Sequence, residues 1–243
     1  MKLEIASNKA IKYACMNFHY AKSIPVNTFG YSVFNNLNEW SGVILYGIGA
    51  NNNLATQYNL NQGNVIELVR MALNGKQEST SKALSLSLKL IKKDLPLCKL
   101  IISYADKDQN HNGVIYQATN FFYTGTSMIN KKDASYIIDG KRIHGKTISD
   151  KCKRFGLIKN IENAKKVYKA KEIIEYVTKG KIKYIYPLDK SLIPLCKSLS
   201  KPYLKNAAVA HLGERLTTSQ EGAFDATLPL NITDEKQTDG ISS

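Results

Sequence analysis

IISYADKDQNHNGVIYQATNFFYTG, residues 101–125, is the stretch on which the fold turns. With Leu100 before it, the apolar run Ile101–Ile102 has the length and composition of a buried strand, and it delivers Ser103, Tyr104 and Asp106 to that strand's C-terminal end. A polar turn follows, then a short helical stretch over Gly113–Asn120, then the aromatic run Phe121, Phe122 and Tyr123. Upstream, Asn64–Leu73 (NVIELVRMAL) is a strand, Asn74–Lys76 a turn and Glu78–Asp94 a helix. Ser79 or Thr80 caps that helix, and Ala83, Leu84, Leu86, Leu88 and Leu90–Ile91 supply its apolar face. The next strand is Leu97–Tyr104. A strand–turn–helix–strand unit of this length implies a parallel or mixed α/β sheet. Ligands of open α/β sheets sit outside the carboxyl ends of the strands, which makes Ser103, Tyr104 and Asp106 the leading site candidates.

Outward from this unit, Ile5–Tyr20 is expected to be helical, with Ile11, Ala14, Cys15 and Phe18 on one face. Thr28–Asn35 and Trp40–Tyr46 form a hairpin around the turn Asn36–Glu39. Beyond Gly125, Met128–Ile138 and Arg142–Ile148 are expected as extended pieces around Asp139–Gly140–Lys141. Asn160–Tyr176 is expected as a lysine-rich helix, Tyr184–Leu188 as a short strand and Leu192–Ser200 as a last helix. The organisation expected is one domain over residues 1–205, with a core to about 130 and a basic C-terminal extension from about 131 to 205. Residues 206–243 are acidic, rich in Thr and Ser, and lack periodicity, as a disordered tail does.

The formal net charge is +14. From Asn206 onward two bases (Arg215, Lys236) face six acids, a net −4, so residues 1–205 carry +18. A body this basic points to a polyanionic partner, nucleic acid first; a lysine-rich solvated surface is the plainer reading. Arg142, His144, Lys146, Lys151, Lys153 and Arg154 form a stretch suited to phosphate contacts. The cysteines, Cys15, Cys98, Cys152 and Cys196, are scattered without a C-x-x-C pair, which excludes a zinc ribbon or disulfide framework as the expectation and leaves free thiols. No apolar run reaches membrane-spanning length, and the N-terminus lacks the apolar core of a signal peptide, so a cytoplasmic protein is expected.

The order strand, polar turn, short helix, aromatic strand resembles the second half of acetyltransferase-like (GNAT) folds. The words S-Y-A-D (103–106) and G-x-I-Y-Q-A-T-N-x-x-Y-x-G (113–125) resemble the Mom-type DNA adenine-modification proteins of Mu-type phages and prophages. So do the His19–Tyr20 pair, the E-L-x-R of Glu67–Arg70 and the I-x-G-K-x-x-H-G of Ile138–Gly145, together covering about residues 15–205. The resemblance implies an α/β (α+β) GNAT-like fold with a mixed, mostly antiparallel sheet flanked by helices. It also implies an enzyme that converts the exocyclic amine of adenine in duplex DNA to a carbamoylmethylated form, protecting phage DNA from restriction in the host cytoplasm.

The residues carry those roles as follows. Asp106, Ser103, His19 and Tyr20 are candidate catalytic groups, and Tyr116 is the tyrosine that GNAT-type enzymes use as a general acid. One reading makes Glu67 a base or a binder of an amine and Arg70 a clamp for phosphate or carboxylate, and the other makes each part of a buried or cross-strand ion pair; a spacing of three on a strand sets them on opposite faces, which speaks against a direct mutual pair. Tyr104, Asn120 and Tyr123 complete a candidate substrate-binding set, with Tyr116 and Asn120 on one helix face, while core packing is an equal reading for Tyr123. The helix starting near Ser79 offers unpaired amides for an acyl-coenzyme A-like donor, with Lys76, Ser79, Thr80, Ser81 and Lys82 around it and without the usual glycine-rich signature; an ordinary capped helix is the plainer reading. Simple acetyl transfer gives an amide, a different product, so another donor or a metal held by His19 and Asp106 is also open. Base flipping onto Tyr20, Tyr104, Tyr116 or Trp40 would bring a duplex adenine within reach. The alternatives are an N-acyltransferase acting on a small molecule or protein, which a test amine discriminates, and a non-catalytic DNA-binding accessory.

Overall fold

The computed structural model describes residues 1–49, 53–127 and 135–203. The tail, 206–243, and Met128–Ala134 of the expected extended piece lie outside the described residues. The chain runs β1 (Lys2–Ile5), α1 (Asn8–Asn17), β2 (Thr28–Phe34), β3 (Trp40–Gly47), β4 (Val65–Leu73), α2 (Thr80–Asp94), β5 (Leu100–Asp106), α3 (Val114–Gln117) and β6 (Phe122–Thr126). Then follow β7 (Ser135–Ile138), β8 (Lys141–Ile143), α4 (Gly145–Arg154), α5 (Ile161–Tyr168), β9 (Ile173–Tyr176), β10 (Lys181–Pro187) and α6 (Ile193–Leu199).

Seven strands form the main sheet in the order β1-β2-β3-β4-β5-β10-β6, and β8-β7-β9 form a second, small sheet. In the main sheet β4 and β5 are parallel and every other pair is antiparallel. Helices and 3₁₀ turns flank it: α2, through Leu84 and Leu88, and α3 cover one face over Tyr46 and Ile101. On the other face α1 covers Val43, Leu45 and Ala72, and α6 covers Leu100, Ile102 and Ile185. This is the mixed, mostly antiparallel, acetyltransferase-like arrangement that the sequence leads one to expect.

Two features of β4 position the site. The parallel register with β5 covers Val65–Leu68 against Leu100–Ser103. Beyond it β4 stays with β3 up to Leu73 and β5 stays with β10 up to Asp106, so the two strands part. At the parting point the β3–β4 register slips: Tyr46 opposes Leu68 but Leu45 opposes Arg70, leaving Val69 as a bulge. Cross-strand partners share a face, and so do Leu45 and Gly47; Gly47 opposes Glu67. Glu67 and Arg70 therefore lie on the same face, correcting the expectation from simple strand alternation.

Several sequence expectations change here. Lys2–Ile5 is a strand pairing β2, so the first helix is shorter than Ile5–Tyr20. Arg142–Ile148 is only briefly extended, because α4 begins at Gly145, capped by His144. Asn160–Tyr176 is half helix and half strand, since Lys169 takes a left-handed conformation that ends α5 before Ile173–Tyr176 joins the small sheet. The segment expected as a C-terminal extension is an insertion: its own core of Tyr136, Ile138, Ile148, Cys152 and Ala164 lies between β6 and β10, and β10 then wedges between β5 and β6. The core thus does not end near residue 130. Between Ser135 and Gly180 twelve lysines and arginines face five acids, a net +7, half of the chain's charge. All four cysteines are free and buried.

Candidate active site

The turn after α1 carries His19 and Tyr20. Lys22 takes a positive φ of 44°, and the His19 Nδ1 accepts from the Ala21 N–H at 3.1 Å, so the turn fixes its own imidazole. The His19 and Tyr20 rings lie 4.2 Å apart, and His111, an exposed residue of the turn after β5, meets Tyr20 edge-on at 5.9 Å. The Tyr20 hydroxyl donates to Asp106 Oδ2 at 3.1 Å. Oδ1 of the same carboxylate accepts the Asp108 N–H at 2.9 Å. Asp106 is thus both the cap of the turn Lys107–Gln109 and the acceptor for a phenol from the turn after α1.

Burial holds His19 down at about 4, with the Arg70 guanidinium and His111 adding to the effect and Asp106 opposing it, so the ring is neutral near pH 7. Burial, reinforced by Asp106, pushes the Tyr20 phenol up to about 12, so it donates rather than ionises. Arg70 stands beside them: one terminal nitrogen donates to the Ser23 carbonyl, while its buried Nε has no hydrogen-bond partner among the described residues. Glu67 is raised by burial, with Lys181 pulling the other way, which favours a protonated carboxyl more than usual for a glutamate.

Around this group opens a cleft of about 660 Å³. Tyr20, Arg70 and Asp106 form one side; Arg142, His144 and Thr178 of the insertion form the other.

The remaining candidates divide. Ser103 is fully buried and donates to the carbonyl of Leu68, the last β4 residue in register with β5, so it closes the ladder where the strands part. Tyr116 hydrogen-bonds Ser103 and is pushed up to about 12, by burial first; the Ser103 contact works against that rise. Tyr116 packs on Phe121 and Tyr184 at 5.3 and 5.1 Å. Because α3 ends at Gln117 and Asn120 takes a φ of 62°, Tyr116 and Asn120 do not share a helix face, contrary to expectation. Asn120 lines a separate cavity beside Lys89 and Lys92 of α2. Tyr123 is buried against Tyr184 in the core, away from the cleft. Tyr104 is pushed up to about 12 by burial and by Glu67. Of the four platform candidates, Tyr20 lines the cleft and is about half exposed, whereas Trp40 packs with Tyr13 and Phe18.

At the start of α2, Ser79 Oγ accepts the Lys82 N–H at 3.2 Å and lies 3.0 Å from the Ser81 hydroxyl. Thr80 accepts from Gln77 at 2.9 Å, and the Lys76 N–H donates to Asn74 Oδ1 at 2.9 Å. The Glu78 carboxylate is engaged by the Asn36 N–H, which turns its charge away from the helix start. Hydroxyls and two lysines remain there, a donor set that suits phosphate. Of the basic stretch, Lys146, Lys153 and Arg154 are exposed on α4, while Lys151 sits 3.7 Å over the Tyr168 ring and Arg142 pairs with Asp108 at 2.9 Å. Asp108, Thr178 and Lys181 escaped the sequence reading; the spacing of two from Asp106 within a polar turn was the available signal for Asp108. Among the described residues no group of three or more His, Cys, Asp or Glu side chains stands together to hold a metal ion, so His19 and Asp106 gain no third ligand there. Nor, among them, is any helix long and apolar enough to cross a membrane.

A mixed sheet whose two parallel central strands part at a bulge, with a polar cluster at the opening, defines an acetyltransferase-like protein. The chain belongs to the Mom protein family, whose model matches residues 1–205. It is similar to the methylcarbamoylase mom of Escherichia phage Mu, 29% identical over 135 residues, 54% of each chain. The chain therefore spans about half the length of that curated relative. Among solved structures, a chimera of spermidine N-acetyltransferase SpeG from Vibrio cholerae and hSSAT superposes with a TM-score of 0.45 at 9% identity, covering 79% of this chain and 99% of the other. A Bacillus subtilis acetyltransferase in complex with CoA gives 0.39 at 12%, covering 76% and 97%. Strand order and the β4–β5 parting, rather than these distant likenesses, define the fold.

Proposed function

We propose that the protein is a transferase that modifies the exocyclic amine of adenine in duplex DNA, with a carbamoylmethyl-type product that shields phage DNA from restriction in the host cytoplasm. The observation that carries the reading is the Tyr20–Asp106 hydrogen bond at the mouth of a cleft walled by a basic insertion. Family membership and the likeness to a methylcarbamoylase support it.

In this reading the insertion's exposed Lys146, Lys153 and Arg154 contact the phosphate backbone and hold the duplex over the cleft. The target adenine leaves the stack and rests on Tyr20, whose ring is already braced by His19. Asp106 takes the proton that the adenine amine gives up as its nitrogen becomes nucleophilic, and the Tyr20 phenol, which stays protonated, steadies the carboxylate. Neutral His19 keeps a second positive charge away from Arg70, leaving that guanidinium to orient an anionic group. Lys76, Lys82 and the hydroxyls of Ser79–Ser81 would hold the phosphates of an acyl-coenzyme A-like donor; such a donor would supply an acyl carbon and by itself gives an amide, so the carbamoylmethyl product requires a donor of a different electrophilic carbon or a further amine source. In this reading Tyr116, hydrogen-bonded to Ser103 where β4 and β5 part, gives a proton to a departing group.

The test is mass spectrometry of nucleosides from the DNA of cells expressing the full chain, with an Asp106→Ala control. A new adenosine species that disappears in the control is the expected result. Unmodified DNA from cells holding soluble, folded protein would overturn the reading and favour acyl transfer to a small molecule or protein.

A further inference from the structure

The turn that carries Asp106 also carries Asp108, and the two carboxylates have opposite surroundings. Asp106 opens on the cleft. The Asp108 side chain is 2% exposed. A buried carboxylate persists only when its lone pairs are matched by donors. Asp108 has four, and every one comes from the insertion or its exit. The Arg142 guanidinium of β8 pairs with Oδ2 at 2.9 Å, the Thr178 hydroxyl donates at 2.9 Å, the Lys179 N–H donates at 2.8 Å, and the Tyr176 phenol of β9 donates as well. Burial alone would raise this carboxyl; the four donors outweigh it and hold it below the usual range. Arg142 is further committed, because its guanidinium lies 4.1 Å over the Tyr176 ring. A guanidinium stacked on one face and ion-paired at its edge is held in a fixed orientation, with 39% of its side chain still exposed.

We propose that Asp108 is a positioning residue that locks the inserted layer against the active-site turn, and that Arg142 is the lock's partner rather than a contact to nucleic acid. The proposal rests on the reading above in taking duplex DNA as what the cleft receives. Its physical content is separate: a single buried carboxylate joins β8 and β9 to the turn between β5 and α3, two residues from Asp106, and so fixes the width of the cleft. Because the Asp108 oxygens are taken up by these donors of the insertion, its loss loosens the seating of the substrate and spares the chemical step.

The experiment uses the full chain as wild type, Asp108→Asn and Arg142→Ala, with Arg142→Lys as the milder variant should either of the others fail to fold. Amide hydrogen exchange over residues 135–180, without DNA, reads the lock directly. Each variant should exchange about tenfold faster in β8 and β9 while β3 and β4 are unchanged. On a defined duplex, KM should rise about tenfold and kcat stay within about twofold. The slope of log affinity against log salt should stay at the wild-type value in Arg142→Ala, whereas loss of a phosphate contact lowers it by about one. Unchanged exchange, or a slope lowered by about one with exchange unchanged, overturns the proposal. A wild-type chain that leaves DNA unmodified refutes the functional reading, yet the exchange arm still decides the lock.

Discussion

Replacing Gly113 by alanine should cost far more than a methyl group on a surface turn usually does. Gly113 precedes α3 with a φ of 73°, and an added Cβ would lie 2.2 Å from the Tyr184 ring and 2.6 Å from its hydroxyl. Left-handed backbone costs a non-glycine residue about 1–2 kcal/mol. Tyr184 is fully buried between Tyr116 and Tyr123, so its ring cannot swing aside. Overpacking of this kind costs about 1–3 kcal/mol. Displacing the ring also strains the bonds from the Tyr184 hydroxyl to the Asn112 carbonyl at 2.7 Å and from Gln117 to that hydroxyl at 3.2 Å. The total is roughly 2–5 kcal/mol, a large share of the stability of a domain this size. Urea denaturation of Gly113→Ala against wild type measures it. Tyr184→Phe, which removes only the hydroxyl, should cost about 1 kcal/mol. Since α3 carries Tyr116, Gly113→Ala protein that remains folded should also lose DNA modification. A variant within about 1 kcal/mol of wild type, with full modification, would refute the reasoning.

Two other outcomes are expected. Burial lowers the Lys183 ammonium to about 8, so between pH 8 and 10.5 the unfolded chain binds more protons than the folded one and stability rises with pH. Below pH 8 the penalty is fully present, about 3 kcal/mol at face value and about 1–2 once solvent screening of a half-buried group is allowed for. Lys183→Met should therefore be about 1–2 kcal/mol more stable than wild type in urea at pH 7, the gap closing toward pH 10.5; a less stable variant would contradict this. Tyr20→Phe keeps the ring and removes the donor to Asp106, so modification should fall about tenfold, against about a hundredfold for Tyr20→Ala, with duplex affinity within twofold for both. Equal losses in the two variants would show that the ring does not serve as a platform.

The fold was legible wherever one element decided its own conformation. β2, β3, β4, α2 and β5 announce themselves by alternation, capping at Ser79 and continuous apolar runs. The insertion was not, because α4 presents few apolar positions and Lys169, the residue that ends α5, is not a typical left-handed stop. Nor could strand order be read: nothing in Lys181–Pro187 says that it lies between β5 and β6. At the candidate site, the residue types of Asp106, His19 and Tyr20 and their places at the ends of their elements single them out, and the structure brings them together. The shared face of Glu67 and Arg70 is not legible in the sequence, since a bulge at Val69 depends on the β3 register and leaves no local signature. The Arg142–Asp108 pair also leaves no local signature, because the carboxylate lies 34 positions earlier in the chain.

The placement of β10 has a consequence for how the molecule is made. Residues 1–127 hold six of the seven main strands, yet β5 and β6 have no pairing with each other and meet only through β10. A nascent chain that has emerged as far as Thr126 therefore carries two exposed edges, with Ile101, Ile102 and Phe122 beside an empty slot. The slot is filled only after the whole insertion has emerged, so the site and its basic wall are completed in one late step. A protein truncated near residue 130 should be an aggregation-prone fragment rather than a minimal enzyme.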